Sequence, residues 1–440
     1  MDDLLEPLYA GHKPRARWRI GAEAEKFGVF LRDGSPIQFD GPASITTLFR
    51  DLVDRHGWSP ESETEGGSVV ALRRGASSIT LEPGGQFELS GAPQETVHQI
   101  CSELHGHMAE LADVSASLGL RWLGLGFHPF ARREELPWVP KLRYSIMREY
   151  LPTRGSMALD MMQRTCTVQA NVDYSDEDDA MRKLRVSLRA SPIITAMLAN
   201  SPWVEGKPTG ERSHRARVWL DVDPDRAGML PFAWSSSAGY RDYVEWALDA
   251  PMFLLKRDGQ VIDNTEQTFR RFMQDGKNGH HATMADWETH LNTLFPEVRL
   301  KRTIELRGVD GQATELTCAM PALWKGLLYD ERALERAEAL LEKLSYEEVE
   351  AVRPAVAEHA LRAGLAGRAV ADWAGDLLDI AHGGLARLSN LNSNGDDERL
   401  HLRRLTSLVA EGKCPADVLV EQVGDDADFR ERVLHEARIE

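Results

Sequence analysis

Two closely spaced glutamates mark the segment WRIGAEAEKF at residues 18–27. In a strand, alternate side chains share a face, so Glu23 and Glu25 point the same way and lie about 6–7 Å apart. The small side chains of Ala22 and Ala24 then point the other way. Because two like charges so close together repel each other, their face meets either water or a ligand that needs two carboxylates.

Four more segments combine one apolar face with one face rich in Glu, Gln, Asn and Arg but poor in Lys. Residues 165–173, TCTVQANVD, alternate strictly between the two kinds of side chain, as expected of a half-buried strand. The other segments are residues 78–90, 215–223 and 299–307. The polar faces carry Glu82, Gln86, Glu88, Thr167, Gln169, Asn171, Arg215, Arg217, Trp219, Lys301, Glu305 and Arg307.

These strands are predicted to pair in one antiparallel sheet, with helices over its apolar face. Residues 92–120 and 174–200 have apolar residues at helical spacing, the second with Ser175 as N-cap, and nearly all of the chain after residue 322 also has a helical pattern. One interpretation of the polar face is an ordinary solvated surface. The other is a charged trough, because fixed carboxylates bind Mg²⁺ and arginine binds phosphate or carboxylate.

The composition describes an acidic chain that is long enough for a large core. Its 440 residues are 42% hydrophobic and carry a formal net charge of −17, which disfavours nucleic-acid binding. The N-terminus has no apolar signal core and no apolar run reaches the roughly 18 residues of a membrane span, so no membrane partner is expected. The four cysteines form no CxxC motif and favour a reducing, cytoplasmic location.

Several common catalytic motifs are absent from the sequence, namely GxxxxGK[ST], HExxH, GxSxG and the Rossmann fingerprint. The trough therefore has to carry any activity. Glutamates that face arginines suit Mg²⁺–nucleotide chemistry, in which the metal bridges phosphate oxygens and arginine stabilises the transferred phosphoryl group. If the acceptor is a carboxylate, an acyl phosphate forms, and an amine can then displace phosphate to give an amide. The residues alone predict Mg²⁺-dependent phosphoryl transfer or ligation.

Seven longer motifs follow one another in order between about residue 15 and residue 335: IGAEAEKFG, ITLEPGGQFELSGAPQETVHQIC, LPTRGSMALDMMQRTCTVQANVDYS, ANSPWVEGKPTG, DRAGMLPF, FPEVRLKRTIELRGVDG and MPALWKGLLYDE. Together they resemble the glutamate–cysteine ligases of the plant and proteobacterial type. These enzymes belong to the carboxylate–amine ligase superfamily, which is related to glutamine synthetase.

This resemblance implies an α+β fold like that of glutamine synthetase. A curved, mainly antiparallel sheet would form the active site on its polar concave face, with helices on the other face. One catalytic domain is implied over residues 1–440, with a sheet-based core at 1–330 and a helical C-terminal part at 331–440 packed on it. The implied reaction joins L-glutamate to L-cysteine through γ-glutamyl phosphate, consumes ATP and gives γ-glutamylcysteine for glutathione biosynthesis. A monomer or a homodimer that binds only small molecules is expected.

The resemblance also implies roles for individual residues. Two or three Mg²⁺ ions would be held by Glu23, Glu25, Glu82, Glu88, Gln169 and Glu305. Contacts with ATP, a co-substrate, are implied for Gln86, Lys301 and Arg307. Contacts with the amino acids are implied for Arg148, Thr167, Asn171, Arg215, Arg217 and Trp219. Arg215 and Arg307 are the implied catalytic residues. Cys101 and Cys318 match a redox-active pair, although a free cysteine in a helix is often simply buried.

Three positions depart from the family pattern. Ala22 and Ala24 replace threonine and histidine on the apolar face, so they are expected to alter packing more than chemistry. Arg217 replaces a histidine: on the polar face beside Arg215 it makes the amino-acid pocket more basic, or it pairs with an acid such as Asp221. Two other functions stay open, a ligase with a different donor or acceptor and a non-catalytic binding or regulatory protein.

Overall fold

The computed structural model describes residues 1–257, 259–424 and 428–439. Nine strands within these residues form one sheet: β1 (Ile20–Phe30), β2 (Ser59–Ser62), β3 (Val69–Arg74), β4 (Ser77–Leu81), β5 (Phe87–Ser90), β6 (Leu120–Leu123), β7 (Thr167–Val172), β8 (Val298–Leu300) and β9 (Ile304–Asp310). Their order across the sheet is β8-β9-β7-β1-β5-β4-β3-β2, and β6 pairs with the second half of β1. All of these pairs are antiparallel.

The helices follow and separate the strands along the chain. They are α1 (Asp2–Tyr9), α2 (Ile45–His56), α3 (Val97–Ser115), α4 (Leu142–Tyr150), α5 (Ala158–Arg164), α6 (Glu177–Met197), α7 (His214–Val218), α8 (Tyr240–Asp249), α9 (Phe269–Asp275), α10 (Met284–Leu291), α11 (Thr314–Leu328), α12 (Glu331–Leu341), α13 (Tyr346–His359), α14 (Val370–Leu388), α15 (Arg403–Ala410), α16 (Pro415–Val423) and α17 (Phe429–Glu436). Short 3-10 helices include Pro231–Trp234 and Glu398–Leu402. Small two-stranded ribbons join Leu254–Arg257 to Gln260–Asp263 and Gly364–Leu365 to Arg368–Ala369.

The apolar face of the sheet lies against α3, α6 and α11. At its centre Ala22 lies opposite Ala170, and Ala24 lies opposite Val168. Side chains that are directly opposite in an antiparallel pair point to the same face. All four are buried in the main hydrophobic core. The two alanines that depart from the family pattern therefore pack in the core, as the alternation predicts.

The polar face of the same strands gathers the glutamates. Glu25 lies opposite Glu88 on β5, and Glu23 lies opposite Gln169 on β7. Directly opposed residues have Cβ atoms only about 4.5–5.5 Å apart. The strand alternation seen in the sequence thus becomes a row of carboxylate and amide side chains across three neighbouring strands.

A β-bulge interrupts the pairing of β9 with β7. Leu306 pairs with Ala170 and Val309 with Val168, so two residues of β9 face one residue of β7. The extra residue changes the direction of the bulged strand and re-aims a side chain. Arg307 and Gly308 lie at the bulge opposite Gln169, and the Arg307 guanidinium reaches the polar face of the sheet, as the alternation predicts.

Three segments predicted as single strands fold differently. Residues 78–90 form the hairpin of β4 and β5, and Glu82 and Gln86 lie in the turn between these two strands. Residues 299–307 span the hairpin between β8 and β9, in which the Lys301 N–H donates to the Thr303 carbonyl across the turn. Arg302, a charged residue at an apolar position of the alternation in residues 299–307, lies in this turn. The irregular position in the pattern was thus a signal of the turn rather than a tolerated exception within a strand.

The third incorrect strand is residues 215–223, which begin within the helix α7 and continue as turns. The side chain of Ser213 accepts a hydrogen bond from the Ala216 N–H, so a serine N-cap starts a helix where the alternation predicts a strand. The predicted N-cap of α6 was also displaced by one residue. Asp176, not Ser175, accepts the capping hydrogen bond there.

The helical C-terminal region packs on the helices that cover the sheet. α12 and α13 contact α6, and α14 contacts α11. Lys325 on α11 donates to Glu398 at 2.7 Å, and the same carboxylate oxygen accepts from the Val97 N–H at 2.6 Å. The predicted fold class, a mainly antiparallel sheet with helices on one face and a helical C-terminal region, is confirmed. Among the described residues, the helices are too short or too polar to span a membrane.

Candidate functional site

A cavity of about 320 Å³ opens on the polar face of the sheet, and we keep the name trough for it. Side chains of β1, β5 and β7 form its floor, and α4, α5 and α7 contribute side chains from above. Ligand pockets in proteins commonly measure about 300–1,000 Å³. Ten residues named from the sequence line it: Glu23, Glu25, Glu82, Gln86, Glu88, Thr167, Gln169, Arg215, Trp219 and Arg307.

The floor carboxylates are hard to ionise together. Burial, together with the nearby carboxylates of Glu305 and Glu88, raises the pKa of Glu23 to about 8. Burial, and then Glu82 and Glu88, raise the pKa of Glu25 well above its ordinary value. A cation that binds here would compete with the protons whose binding to Glu23 and Glu25 these shifts favour.

Glu305 differs from the other glutamates because it already has three cationic partners. Arg299 lies 2.6 Å, Arg307 2.8 Å and Lys301 3.1 Å from its carboxylate oxygens. Although burial alone raises its pKa, these three cations hold the pKa of Glu305 well below its usual range. Glu305 does not line the trough, and its carboxylate is a buried anion that holds these cations in position, so its role as a metal ligand stays a prediction.

Arg307 spans the floor between an amide and this buried carboxylate. Its Nη1 donates to Gln169 Oε1 at 2.9 Å and to Glu305 Oε2 at 2.8 Å. Arg307 thus presents a fixed positive charge beside the carboxylates of the floor.

Arg215 is the second arginine of the trough, and it is only 4% exposed. Its Nη2 donates to the Arg307 carbonyl at 2.9 Å. Its Nε and the indole N–H of Trp219 are buried without a hydrogen-bond partner in the described residues. Both side chains also line a side chamber of about 30 Å³, together with Glu297 and Arg353. Buried donors without partners cost free energy, and a polar ligand would remove that cost.

Asp310, the last residue of β9, anchors the start of α7 and so positions Arg215. Its two carboxylate oxygens accept hydrogen bonds from Asn200 N–H at 2.7 Å, Ser201 Oγ at 2.6 Å and Ser213 Oγ at 2.7 Å. Ser213 is the cap of α7. Sequence reasoning missed this anchor, because it depends on a helix start that the strand prediction excluded.

The structure does not bring Arg217 or Arg148 to the trough. Because α7 is a helix, residues two apart do not share a face, and Arg217 points away to Glu211, 2.7 Å from its Nε. An ion pair is thus present, but its acid is Glu211, whereas Asp221 accepts from Ser156. Arg148 lies on α4 with its guanidinium 4.5 Å from the Trp138 ring, away from the cavity.

Three other predicted contacts have structural partners. The Gln86 amide donates to the Met162 and Thr165 carbonyls and accepts from Gly84 N–H, so it shapes the turn that presents Glu82. The Lys301 ammonium is paired with Glu305 and does not line the trough. Asn171 donates to Glu23 Oε1 at 2.7 Å and lies in a groove of about 240 Å³ on the other side of Glu23.

Cys101 on α3 and Cys318 on α11 are bonded to each other as a disulfide with a Cα–Cα separation of 5.8 Å. The two helices lie on the apolar side of the sheet, so the pair is remote from the trough floor. Cys166 is fully buried in a second, smaller core cluster, as expected of a plain core residue.

The sequence matches one protein-family model, that of glutamate–cysteine ligase family 2, over residues 19–436. The glutamate–cysteine ligase of Brassica juncea is 44% identical over 424 residues, which cover 96% of this chain and 80% of that protein. Glutamate–cysteine ligase B of Oryza sativa is 43% identical over 423 residues, 95% of this chain and 83% of that protein. The chain belongs to this family of glutamate–cysteine ligases. The family and enzyme class predicted from the motifs are confirmed.

Solved structures support the same fold for this ligase. The crystal structure of the glutamate–cysteine ligase of Francisella tularensis, in complex with AMP, superposes with a TM-score of 0.58 at 14% identity. The match covers 96% of this chain and 87% of that one. A bifunctional glutathione synthetase from Pasteurella multocida reaches a TM-score of 0.54 at 14% identity.

The predicted cytoplasmic location is wrong on this comparison. The Brassica juncea and Oryza sativa relatives are both named as chloroplastic enzymes. Cysteine usage reports whether thiols stay reduced, and it does not separate one reducing compartment from another.

The upper wall of the ligase site comes from residues that the sequence did not single out. They are Arg143, Tyr144, Met147, Met161, Met162, Phe295 and Arg299. Most of them lie on the short helices α4 and α5, where an apolar or basic residue looks like ordinary helix packing. Arg299 gave a signal, since it shares the parity of Glu305 and Arg307 in the segment 299–307.

The donor set of the floor fits Mg²⁺. Four carboxylates and one amide oxygen are the hard ligands that Mg²⁺ prefers. Of these carboxylates, Glu25 and Glu88 form a directly opposed pair on neighbouring strands. Among the described residues, the one group of three ligand atoms that all lie within 4.8 Å of one another is Cys101, Cys318 and His401.

Proposed function

We propose that this glutamate–cysteine ligase forms γ-glutamyl phosphate in the trough, where the buried arginines Arg215 and Arg307 face the floor glutamates. The γ-carboxylate of glutamate takes the terminal phosphoryl group of ATP, and ADP leaves. The amine of cysteine then attacks the acyl phosphate, phosphate leaves, and γ-glutamylcysteine forms. One observation carries this proposal: carboxyl groups with raised pKa and arginines converge in a single cavity.

We propose Glu23, Glu25, Glu82 and Glu88, with the Gln169 amide oxygen, as the ligands of Mg²⁺. Their placement on one floor and the raised pKa of Glu23 and Glu25 support this assignment. Bound Mg²⁺ would neutralise charge on phosphate oxygens during phosphoryl transfer. The number of ions, two or three, stays a prediction.

Arg307 and Arg215 are proposed to bind different anionic groups of the substrates. Arg307 lies directly beside the proposed metal ligand Gln169, which suits contact with a phosphoryl group. Arg215 and Trp219 have unpartnered donors near the side chamber, which suits the carboxylate of an amino acid. Thr167 is proposed as a wall residue, because its hydroxyl donates to the Val309 carbonyl at 2.6 Å.

Apolar side chains over the trough are proposed to protect the intermediate. Met147, Met161 and Met162 line the upper wall with Trp219 and Phe295. An acyl phosphate is easily hydrolysed, and excluding water from a reactive intermediate is a recognised role of such walls.

Cysteine is the proposed acceptor, and no geometric observation now favours another one. The expectation of a more basic pocket depended on Arg217, which pairs with Glu211 outside the trough. Glutamate remains the proposed donor.

The helical part at 331–440 is proposed to belong to one catalytic unit with the sheet. The buried pair of Lys325 with Glu398 ties the two parts together, because an unpaired buried charge is strongly destabilising. A chain ending at residue 330 is therefore expected not to fold into an active enzyme. Whether the ligase is a monomer or a homodimer stays a prediction.

ADP release across a panel of amino-acid pairs tests the proposal, with the product identified by mass spectrometry. Glutamate plus cysteine with ATP and Mg²⁺ should give the highest rate and the mass of the γ-linked dipeptide. Omission of either amino acid serves as the control and should abolish dipeptide formation. A faster reaction with another donor or acceptor would overturn the substrate assignment, and ADP release without dipeptide would overturn ligation.

A further inference from the structure

Three groups capable of binding a metal meet on the side of the sheet remote from the trough. Cys101 on α3, Cys318 on α11 and His401 in the 3-10 helix Glu398–Leu402 have ligand atoms that all lie within 4.8 Å of one another. Both cysteines are buried, at 7% and 2% exposure, and His401 is half-buried. The site therefore joins two core helices to the C-terminal layer.

A chain of hydrogen bonds orients the His401 ring. His401 Nε2 lies 2.9 Å from His98 Nδ1, and His98 Nε2 lies 3.2 Å from the Asn390 carbonyl oxygen. Because a carbonyl only accepts, His98 Nε2 carries the hydrogen, and in the neutral ring Nδ1 is then the acceptor. His401 Nε2 must donate to it. The remaining nitrogen, His401 Nδ1, keeps its lone pair and faces Cys101 Sγ at 3.4 Å.

The separation of these atoms suits a zinc-type centre. With Zn–S of about 2.3 Å and Zn–N of about 2.05 Å, a tetrahedral ion places S and N about 3.6 Å apart. The observed separation from His401 Nδ1 to Cys101 Sγ is 3.4 Å. Two tetrahedral thiolates need about 3.8 Å between sulfurs, so these sulfurs have to move apart once their bond is broken. A ligand histidine usually donates its other ring N–H to a fixed acceptor, and here His98 Nδ1, itself held by the Asn390 carbonyl, is that acceptor.

We propose that reduction of the Cys101–Cys318 disulfide creates a binding site for a thiolate-preferring divalent cation such as Zn²⁺. A dithiol reductant transfers two electrons and two protons, becomes a disulfide itself, and leaves two protein thiols. The cation then binds both sulfurs and His401 Nδ1, and the two thiol protons are released to water. The fourth position takes water.

The chemistry of this site separates it from the trough. Thiolate and imidazole select zinc-like ions, whereas the carboxylates of the trough suit Mg²⁺. The same pair of sulfurs cannot be a disulfide and a metal ligand at once. The bound cation therefore competes with reoxidation, and the two states both hold α3 against α11.

Cobalt(II) titration of the full chain tests the proposal. The disulfide is reduced with a phosphine, which takes up oxygen from water, the excess is removed anaerobically, and saturating Mg²⁺ occupies the trough. Reduced protein should bind one Co²⁺ per chain, with thiolate-to-cobalt charge-transfer absorption and the visible bands of tetrahedral coordination. Zn²⁺ should displace it. The oxidised protein should show neither signal.

Variants identify the ligands. Cys318→Ser should abolish the charge-transfer band, and His401→Gln should weaken binding at least 10-fold. His98→Phe should weaken it about 10–100-fold, as loss of such a supporting hydrogen bond does. The matched controls Cys166→Ala and His382→Gln alter a buried cysteine and a half-buried histidine elsewhere, and both should bind Co²⁺ as the unmodified protein does.

If the cysteine variant does not fold, alkylation of the two reduced thiols in the unmodified chain takes its place. Alkylation should likewise abolish the thiolate-to-cobalt charge-transfer band. Zn²⁺ should also slow re-formation of the disulfide by an oxidised dithiol, and His401→Gln should remove this effect. A reduced chain without the charge-transfer band, or His401→Gln with unchanged affinity, overturns the site.

Discussion

Arg215 and Arg217 are two residues apart, yet only Arg215 faces the trough. We expect Arg215→Ala to lower kcat/KM by about 10–100-fold, because a hydrogen bond to a charged group contributes about 1.5–3 kcal/mol. Arg217→Ala removes an ion pair with Glu211 outside the cavity and should change kcat/KM by less than about threefold. Steady-state kinetics with each amino acid varied in turn, and a melting curve for each variant, provide the measurement. Equal losses of kcat/KM in the two variants would contradict the placement of Arg215 in the trough and of Arg217 outside it.

The face of the sheet on which each side chain of β1 and β7 lies could be predicted from the sequence, because a strand has a strict period of two. That period separated Glu23 and Glu25 from Ala22 and Ala24. The partners of Glu305 could not be found in this way. They depend on a turn inside the segment 299–307, which brings Arg299 and Lys301 back across the hairpin.

At the scale of elements, α7 is positioned by one buried carboxylate. Asp310→Ala would leave Asn200 N–H and the hydroxyls of Ser201 and Ser213 without their acceptor. An unsatisfied buried group costs about 1–3 kcal/mol, so we expect a loss of about 3 kcal/mol in the free energy of unfolding. The KM for an amino acid should rise as well, because Arg215 follows the helix. Urea unfolding and kinetics check both effects.

The matched control for this element is Asp2→Ala, which removes an exposed pair with Arg241. It should change the free energy of unfolding by less than about 0.5 kcal/mol. If Asp310→Ala were as mild as this control, the anchor would be an incidental contact.

The strand prediction for residues 215–223 failed for a physical reason. Alternation of apolar and polar side chains also occurs by chance in one turn of helix followed by turns. A run this short therefore does not distinguish a strand from a short helix. Ser213 could have indicated a helix start, since serine is a preferred N-cap. Its decisive partner, Asp310, is distant in sequence and could not be inferred before the fold was known.

At the scale of the whole molecule, the floor carboxylates link stability to pH and Mg²⁺. The pKa of Glu23 rises from 4.5 to about 8 on folding, so between these values the native state keeps a proton that the unfolded chain has lost. The free energy of unfolding of the metal-free ligase therefore falls as pH rises through this window. Mg²⁺ replaces the proton, and its stabilising effect should grow in the same direction.

Melting temperatures with and without Mg²⁺, at about pH 6 and about pH 8.5, measure this linkage. We expect a larger Mg²⁺-induced increase at the higher pH, and a flat response in the double variant Glu23→Gln, Glu25→Gln. The same increase at both pH values would contradict the linkage.

Direct titration of Mg²⁺ into the ligase tests the central claim, that paired glutamates of the trough hold the metal. The titration is run by calorimetry with a non-hydrolysable ATP analogue present, on the unmodified chain, on Glu25→Gln and on Glu315→Gln, which alters an exposed glutamate in the first turn of α11. Glu25→Gln should weaken Mg²⁺ binding at least about 10-fold, since a lost charged contact of this kind is worth about 1.5–3 kcal/mol, while Glu315→Gln should leave Mg²⁺ binding unchanged. Equal Mg²⁺ affinity in all three proteins would contradict it.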